Sequence, residues 1–474
     1  MEQKSKIKKE KKIYEITAAT TRRQQIEMVI RLSIPAILAE ISSVVMQYID
    51  AAMVGSLGAD ASASIGLVSS STWLIGGLCI SAGTGFAVQV SQLIGGKKDK
   101  EAKNVVRQAL VVTLIIGCLL SACGILISGG LPAWLGGAKE IRHQASRYFL
   151  IYCAALPAVQ MRQLSGSMLQ CSGDMKTPSI LNTMMCGLDV IFNAVLIFPA
   201  RSISLFGLDV VLPGANLGVT GAALGTALAE YITAAIMLWF LCVHSHKLRI
   251  IKEKGSWKPT KRILKRAAQI ALPMGLEHTV MCGAQVMSTR IVAPLGTVAV
   301  AANSLGVTAE SVCYMPGYGI GAAATTLVGQ SVGARNKEMA RRFARVSVLL
   351  GVGIMTVTGG LMFLFAPQAF ALLTPDMAVR QLGTKVLRIE TFAEPFYGMS
   401  IVVAGALRGA GDTLVPSLMN LFCMWGVRIT AAWILAPYLG LTGVWIAMCG
   451  ELCVRGILFF IRLMREKWLH KAIV

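Results

Sequence analysis

Long apolar runs set the pattern of this chain. Stretches such as 109–127 and 346–365 carry no charged residue, and each is close to the ~20 residues an α-helix needs to cross a bilayer. Between the runs, Gly, Pro and charged residues fall in short clusters that mark turns. Runs and breaks together predict twelve transmembrane helices. In the first half they are 32–54, 63–88, 108–130, 148–168, 178–200 and 218–243. In the second half they are 267–292, 298–325, 346–366, 387–407, 415–436 and 442–462. The expected fold is an all-α polytopic membrane protein. A basic tail (1–31) precedes a first lobe (32–243), a linker (244–266), a second lobe (267–462) and a closing tail (463–474).

Charge adds an orientation. The 45 Lys and Arg outnumber the 24 Asp and Glu, a balance that in a soluble chain would suggest nucleic acid. Their placement argues otherwise. With the N-terminus in the cytoplasm, the tails and even-numbered loops hold 34 of these cations, the opposite loops hold seven, and Arg162, Arg290, Arg428 and Arg455 fall within spans. Positive charge in short loops fixes orientation during insertion, so both termini are expected in the cytoplasm and no nucleic-acid partner is expected. The N-terminus lacks the apolar core and small-residue cleavage site of a signal peptide and reads as a disordered basic tail. The twelve cysteines lie scattered with no CxxC and no His at metal spacing, as small helix residues do.

A repeat runs through the chain. CSGDMKTPS (171–179) returns as GAGDTLVPS (409–417), 238 positions later. At the same offset SLGADASASIGL (56–67) meets PLGTVAVAANSL (294–305), and QLIGGKK (92–98) meets QSVGARN (330–336). The register breaks in the loop 201–217, after which GVTGA (218–222) pairs with GLTGV (440–444) at an offset of 222. Six spans return the chain to its starting side, so the two halves are parallel. Secondary transporters use this plan and bind substrate between the halves near the midplane. The repeated phrase itself is a turn: Gly permits the reversal, Asp bonds its own backbone, and Pro opens the next helix.

Four phrases make the comparison specific: VMQYIDAAMVGSLGA, TLVGQSVGA, MPGYGIGAAATTLVGQ and GALRGAGDT. In this order and spacing they resemble the MATE family, the multidrug and toxic compound extrusion transporters, and are most similar to its bacterial DinF-like branch. The resemblance implies a multi-pass protein of the bacterial cytoplasmic membrane, acting as a monomer. It would export organic cations or amphipathic small molecules in exchange for H+ or Na+, with no other cofactor. No GxxxxGK[ST] phosphate loop occurs in the sequence, so an ion gradient is the natural energy source.

Charge inside hydrocarbon costs several kcal/mol, about 2.5–3.5 on insertion scales, so each buried ionisable group needs a partner or a function. Burial favours the neutral carboxyl and a nearby cation favours the carboxylate, so one site can exchange a proton, a Na+ ion or a cationic drug. Asp50 follows Gln47 on span 1 and matches the acidic position of the family's first helix; its repeat mate is Ser288. Asp189 and Asn193 stand one turn apart on span 5. DinF-like relatives carry the amide first, and here the order is reversed. The cluster Asp50, Asp189 and Asn193 is the expected coupling site and a candidate for Na+. Otherwise these are an interfacial Asp and an interhelical hydrogen bond.

In the second lobe Glu277, Glu310 and Glu394 are further coupling candidates. Glu277 stands one turn before the NorM-like position, which is Met281 here, and otherwise pairs with His278 or a backbone group. Glu310 precedes CYMPGYG, as in relatives. Glu394 is read as deep in span 10, and Glu390 as solvated near its outer end. Tyr397 replaces the NorM-like Asp of that helix. Arg162 is expected to snorkel to the cytoplasmic face, Glu40 and Glu230 have no evident partner, and Glu451 and Arg455 form an i,i+4 pair. Met46, Gln47, Met281, Tyr314 and Tyr397 are the candidates to line the substrate cavity, together with Tyr48, Trp73, Met315 and Phe396. An alternative reading is an exporter or flippase of a metabolite or lipid-linked precursor, which should line its cavity with Arg and Lys.

Overall fold

The computed structural model describes residues 21–205, 208–251 and 255–474; most of the expected N-terminal tail (1–20) lies outside them. Twelve helical spans cover the rest. The first six are Arg22–Gly55, Ala59–Gly95, Asp99–Ile127, Lys139–Cys171, Lys176–Ile197, and Val219–Trp239 continued by a π turn over Phe240–His244. Spans 7, 8 and 9 are Lys261–Val292, Thr297–Gly333 and Lys337–Leu373. Span 10 is Met377–Glu390 plus Glu394–Ala410, and span 12 is Leu441–Met464. Span 11 runs from Leu414 through a π segment, Phe422–Ile429, to Leu439.

Most spans begin or end up to ten residues beyond the apolar runs, because polar residues at the ends satisfy the free N–H groups of the first turn. Thr21 and Gln24 make a capping box on span 1, Asn336 Oδ1 accepts from Met339 N at 3.0 Å on span 9, and Asp376 caps span 10. Eight spans are apolar and long enough to cross a membrane by composition alone; spans 4, 7, 8 and 10 are not among them. These four house Arg162, Glu277, Glu310 and Glu394.

The repeat is visible in the backbone. Gly58 and Gly296 share φ of 114° and 100°, Lys97 and Arg335 both 58°, and Gly173 and Gly411 95° and 94°. Gly218 and Gly440, at the shorter offset, have 55° and 58°. The two turn phrases therefore fold alike but bond differently. Asp174 caps span 5 through Thr177 N (3.1 Å) and Thr177 Oγ1 (2.6 Å). Asp412 instead accepts Arg462 of span 12 at 2.6 and 3.0 Å.

Two elements depart from expectation. Strands Pro199–Leu205 (β1) and Leu208–Ala215 (β2) form an antiparallel hairpin where a loop was expected. Span 10 is not one helix. Three turn residues, 391–393, separate its halves, and the helix restarts at Glu394 with Pro395 in its first turn, where a missing N–H costs nothing.

The lobes exchange packing at the face where span 1 begins and the chain after span 12 ends, here called the terminal face. Met28, Val29 and Leu32 of span 1 belong to the second-lobe core with Ile320, Phe343 and Leu407. Reciprocally, Ala267 of span 7 sits in the first-lobe core with Phe86 and Leu164. The chain after Met464 folds back: Trp468 is fully buried, and Ile473 N donates to Gln92 Oε1 at 2.9 Å. Large apolar side chains such as Leu126 and Leu372 remain over four-fifths exposed, as a lipid-facing surface requires.

Candidate functional site

Span 1 brings Asp50 against span 5, where Asp189 and Asn193 share a face one turn apart. The Asn193 amide bridges both carboxylates. Its Nδ2 donates to Asp50 Oδ1 at 2.9 Å and to Asp189 Oδ2 at 3.1 Å. Asp189 is wholly buried, Asn193 is 1% exposed, and Asp50 is half-buried. The reversed order on span 5 therefore places the amide between the two acids. Asp189 sits deeper, and Asp50 stands at the accessible end.

The open valences of this cluster are acceptors, with the Thr226 hydroxyl as the donor beside Asp189. Asp189 Oδ1 and Asn193 Oδ1 are buried with no hydrogen-bond partner. A buried acceptor without a donor is costly, about 1–3 kcal/mol. Two carboxylates so placed fit a proton or a hard cation, which prefers oxygen ligands, while the Asn193 oxygen faces Gly225 instead. Residues that sequence reasoning missed complete the shape. A Cβ at Gly225 of span 6 would lie 2.1 Å from Asn193 Oδ1, so only glycine lets the amide reach inward. Thr226 faces Asp189, and the Tyr148 phenol lies in the field of both acids. GTALAE (225–230) has no ionisable residue before Glu230, so nothing in the sequence flagged Gly225.

Arg162 does not snorkel. It forms a bidentate pair with Glu230, Nε to Oε2 at 2.5 Å and Nη2 to Oε1 at 2.9 Å, and its Nη1 donates to Asn182 Oδ1 at 3.1 Å. Planar guanidinium and carboxylate suit this fork geometry. Glu230 thus gains the partner the sequence did not supply, and Glu40 lies within the same electrostatic neighbourhood.

In the second lobe the candidates separate. Glu277 is tied to span 11, accepting Ser417 Oγ and Asn420 Nδ2 at 2.6 Å each, and does not pair with His278. Met281 packs with Ala284, Met424 and Ile429 inside this lobe. Glu390 is not solvated: it and Glu394 flank the break in span 10, both are 0% exposed, and all four carboxylate oxygens lack a hydrogen-bond partner. Gly359 makes room for them, since a Cβ there would come within 2.9 Å of Glu394 Cβ. Glu310 is buried in their electrostatic neighbourhood. Tyr314 meets Tyr397 edge-on with ring centres 5.5 Å apart. The Arg455 guanidinium lies 5.3 Å from the Tyr397 ring and pairs with Glu451 at 2.8 Å, the expected i,i+4 pair. Met46 is half-buried and Gln47 exposed, whereas Trp73, at 75% exposure, faces outward.

Known proteins share this architecture. A family model described as MatE matches residues 35–195 and again 273–434, once on each six-helix repeat. A probable multidrug resistance protein NorM of Thermotoga maritima is 25% identical over 448 residues, 94% of this chain and 93% of its own length. A probable multidrug resistance protein YoeA of Bacillus subtilis is 23% identical over 431 residues, 90% of this chain and 91% of its own length. In fold, a crystal structure of a MATE in complex with MaL6 superposes with a TM-score of 0.86 at 23% identity, covering 94% of this chain and 98% of that one. An outward-facing multidrug resistance MATE family transporter does so with a TM-score of 0.86 at 22% identity, covering 94% and 97%. With its repeat, its buried acids and a family match over both halves, this chain belongs to the MatE family of membrane transporters and is not an enzyme.

Proposed function

We propose that the protein is a multidrug exporter that exchanges organic cations or amphipathic compounds for inward-moving H+ or Na+ by alternating access of its two lobes. The observation that carries this reading is the Asn193 amide bridging Asp50 and Asp189, with orphaned acceptors at its buried end. Loading a cation there satisfies acceptors that otherwise stay bare, and a competing cationic drug loses the attraction of the carboxylates. Coupling follows from that exclusion. The positive-inside distribution supports a cytoplasmic terminal face in a bacterial cytoplasmic membrane, and the protein acts as a monomer.

Alternating access needs a side that closes. The bonds and closest approaches between spans 2 and 8 fall within residues 91–96 and 326–333, at the terminal face. This supports a state closed to the cytoplasm and open on the opposite side. Transport into proteoliposomes, with H+ and Na+ gradients imposed separately and a fluorescent cation as cargo, tests the reading. Asp50→Asn should reduce gradient-driven transport at least tenfold; transport at the native rate by that variant would overturn it.

A further inference from the structure

The second lobe holds a recess that mirrors the Asp50 site with its charge inverted. It is an open recess of about 50 Å³, room for a carboxylate group, in the half of the lobe away from the terminal face, and its lining includes Gln285, Ser288, Asn303, Arg428, Trp445 and Met448. Gln285 and Ser288 are the repeat mates of Gln47 and Asp50 at the 238 offset, and Met448 is the mate of Thr226 at the 222 offset. The position corresponding to Asp189 is decided by helix geometry. An unbroken register would give Val427, which does not line the recess. The π segment Phe422–Ile429 accommodates an additional residue in span 11. One residue is about 100° of helix rotation, so Arg428 comes round to the position that Asp189 holds in span 5. Where the first lobe has two acids and an amide, the second has a guanidinium, a hydroxyl and two amides.

These groups are donors with little to donate to. Arg428 Nη2 lies against Met448 Sδ, and a thioether is a weak acceptor. Among the described residues no carboxylate lies within 4.0 Å of its guanidinium; Glu310 and Glu390 act on it only at longer range. Asn303 Oδ1 is occupied by Trp445 Nε1 at 3.0 Å, which leaves the amide N–H groups of Asn303 to bond elsewhere. No described residue engages the side chains of Gln285 or Ser288. Arg428 is half-buried in this open recess and Gln285 is exposed, so the guanidinium fork stays accessible to a group with paired acceptor oxygens.

We propose that this recess is an anion subsite that receives a carboxylate group, with Arg428 as its charge partner and Ser288, Gln285 and Asn303 as neutral donors. A carboxylate matches the fork of the guanidinium, so the cargo that engages both lobes is amphoteric. Its cationic end faces Asp50 and its acidic end faces Arg428. The subsite goes beyond the exchange of cations proposed above and does not depend on it, so it is tested by direct binding.

Calorimetric titration of the purified full-length protein compares benzoate with benzamide, which has the same shape without the charge, in a gluconate buffer. Benzoate should bind and benzamide should bind at least tenfold more weakly. Arg428→Gln should lower benzoate affinity at least tenfold, Arg428→Lys should recover part of it, and Ser288→Asp should abolish it by restoring the acid of the first lobe. Equal binding of benzoate and benzamide would overturn the assignment. So would unchanged benzoate affinity in Arg428→Gln alongside a lowered melting temperature, because Arg428 would then be only a counter-ion for Glu310. Bromide displacing benzoate at equal concentration would assign the recess to small inorganic anions and equally overturn it. A separate failure of organic-cation transport in proteoliposomes would sink the exporter reading and leave this one standing.

Discussion

Gln92 and Gln330, related by the repeat, make the same bond in opposite directions across the lobe interface. Gln92 Nε2 donates to Gly409 O of the second lobe at 3.0 Å, and Gln330 Nε2 donates to Cys171 O of the first at 2.8 Å. The two acceptors are themselves repeat mates and open the twice-written phrases CSGDMKTPS and GAGDTLVPS. The turns are therefore where each lobe is grasped by the other.

Removing this pair should loosen the terminal face. Each bond contributes about 0.5–1.5 kcal/mol, so Gln92→Ala with Gln330→Ala should shift the balance toward lobe separation roughly 5- to 150-fold. Spin labels placed at Lys97 and Arg335 in the double variant should show a longer-distance population that the native protein lacks. An unchanged distance distribution would rule the latch out.

Close glycine contacts set the same interface. A Cβ at Gly95 would lie 1.9 Å from Gln330 O, and one at Gly333 would lie 1.8 Å from Gln92 O; backbone cannot yield that far. Gly95→Ala or Gly333→Ala should hold the terminal face apart and reduce transport at least tenfold. Gly187→Ala, with nothing within 4 Å of the new methyl, is the control. It should melt at or slightly above the native temperature, since Ala favours helix over Gly by up to ~1 kcal/mol.

The Arg162–Glu230 pair is buried, with side chains 14% and 8% exposed. Arg162→Met leaves an uncompensated carboxylate and should cost about 3–5 kcal/mol, whereas Arg162→Met with Glu230→Leu removes both charges and should cost much less. Thermal unfolding in detergent distinguishes the two. A double variant less stable than the single one would show that the pair is worth more than its desolvation.

Gly225 should behave as a positioning residue for the Asp50 cluster. Gly225→Ala pushes the Asn193 amide off both carboxylates, so gradient-driven transport should fall about as far as in Asn193→Ala, at least tenfold. The dependence on the driving gradient should weaken with it. A variant that transports normally would mean the amide bridge is dispensable.

Much of this arrangement was legible in the chain. Apolar runs and turn residues, each a signal among neighbours within a few residues, mark twelve spans, and the 238 offset, read by aligning the chain with itself, sorts them into two parallel sets. The shared face of Asp189 and Asn193 is a local signal too. Contacts between helices carry no such local signature. The bond of Arg162 to Glu230 spans 68 positions, and the burial of Glu390 depends on how span 10 restarts at Glu394 against Gly359.

The sequence by itself determined the membrane fold and the repeat, and it marked Asp50, Asp189 and Glu310 as acids within spans, though not the burial of Glu390. Only the tertiary structure decided what faces what. Asn193 reaches Asp50 because Gly225 leaves room for its amide. A π turn in span 11, which hydrophobic periodicity does not reveal, brings Arg428 to the place that counting residues assigns to Val427. Rotation of a helix by one residue is a small local change. In a lobe built by duplication it exchanges the sign of the charge at the mirrored site.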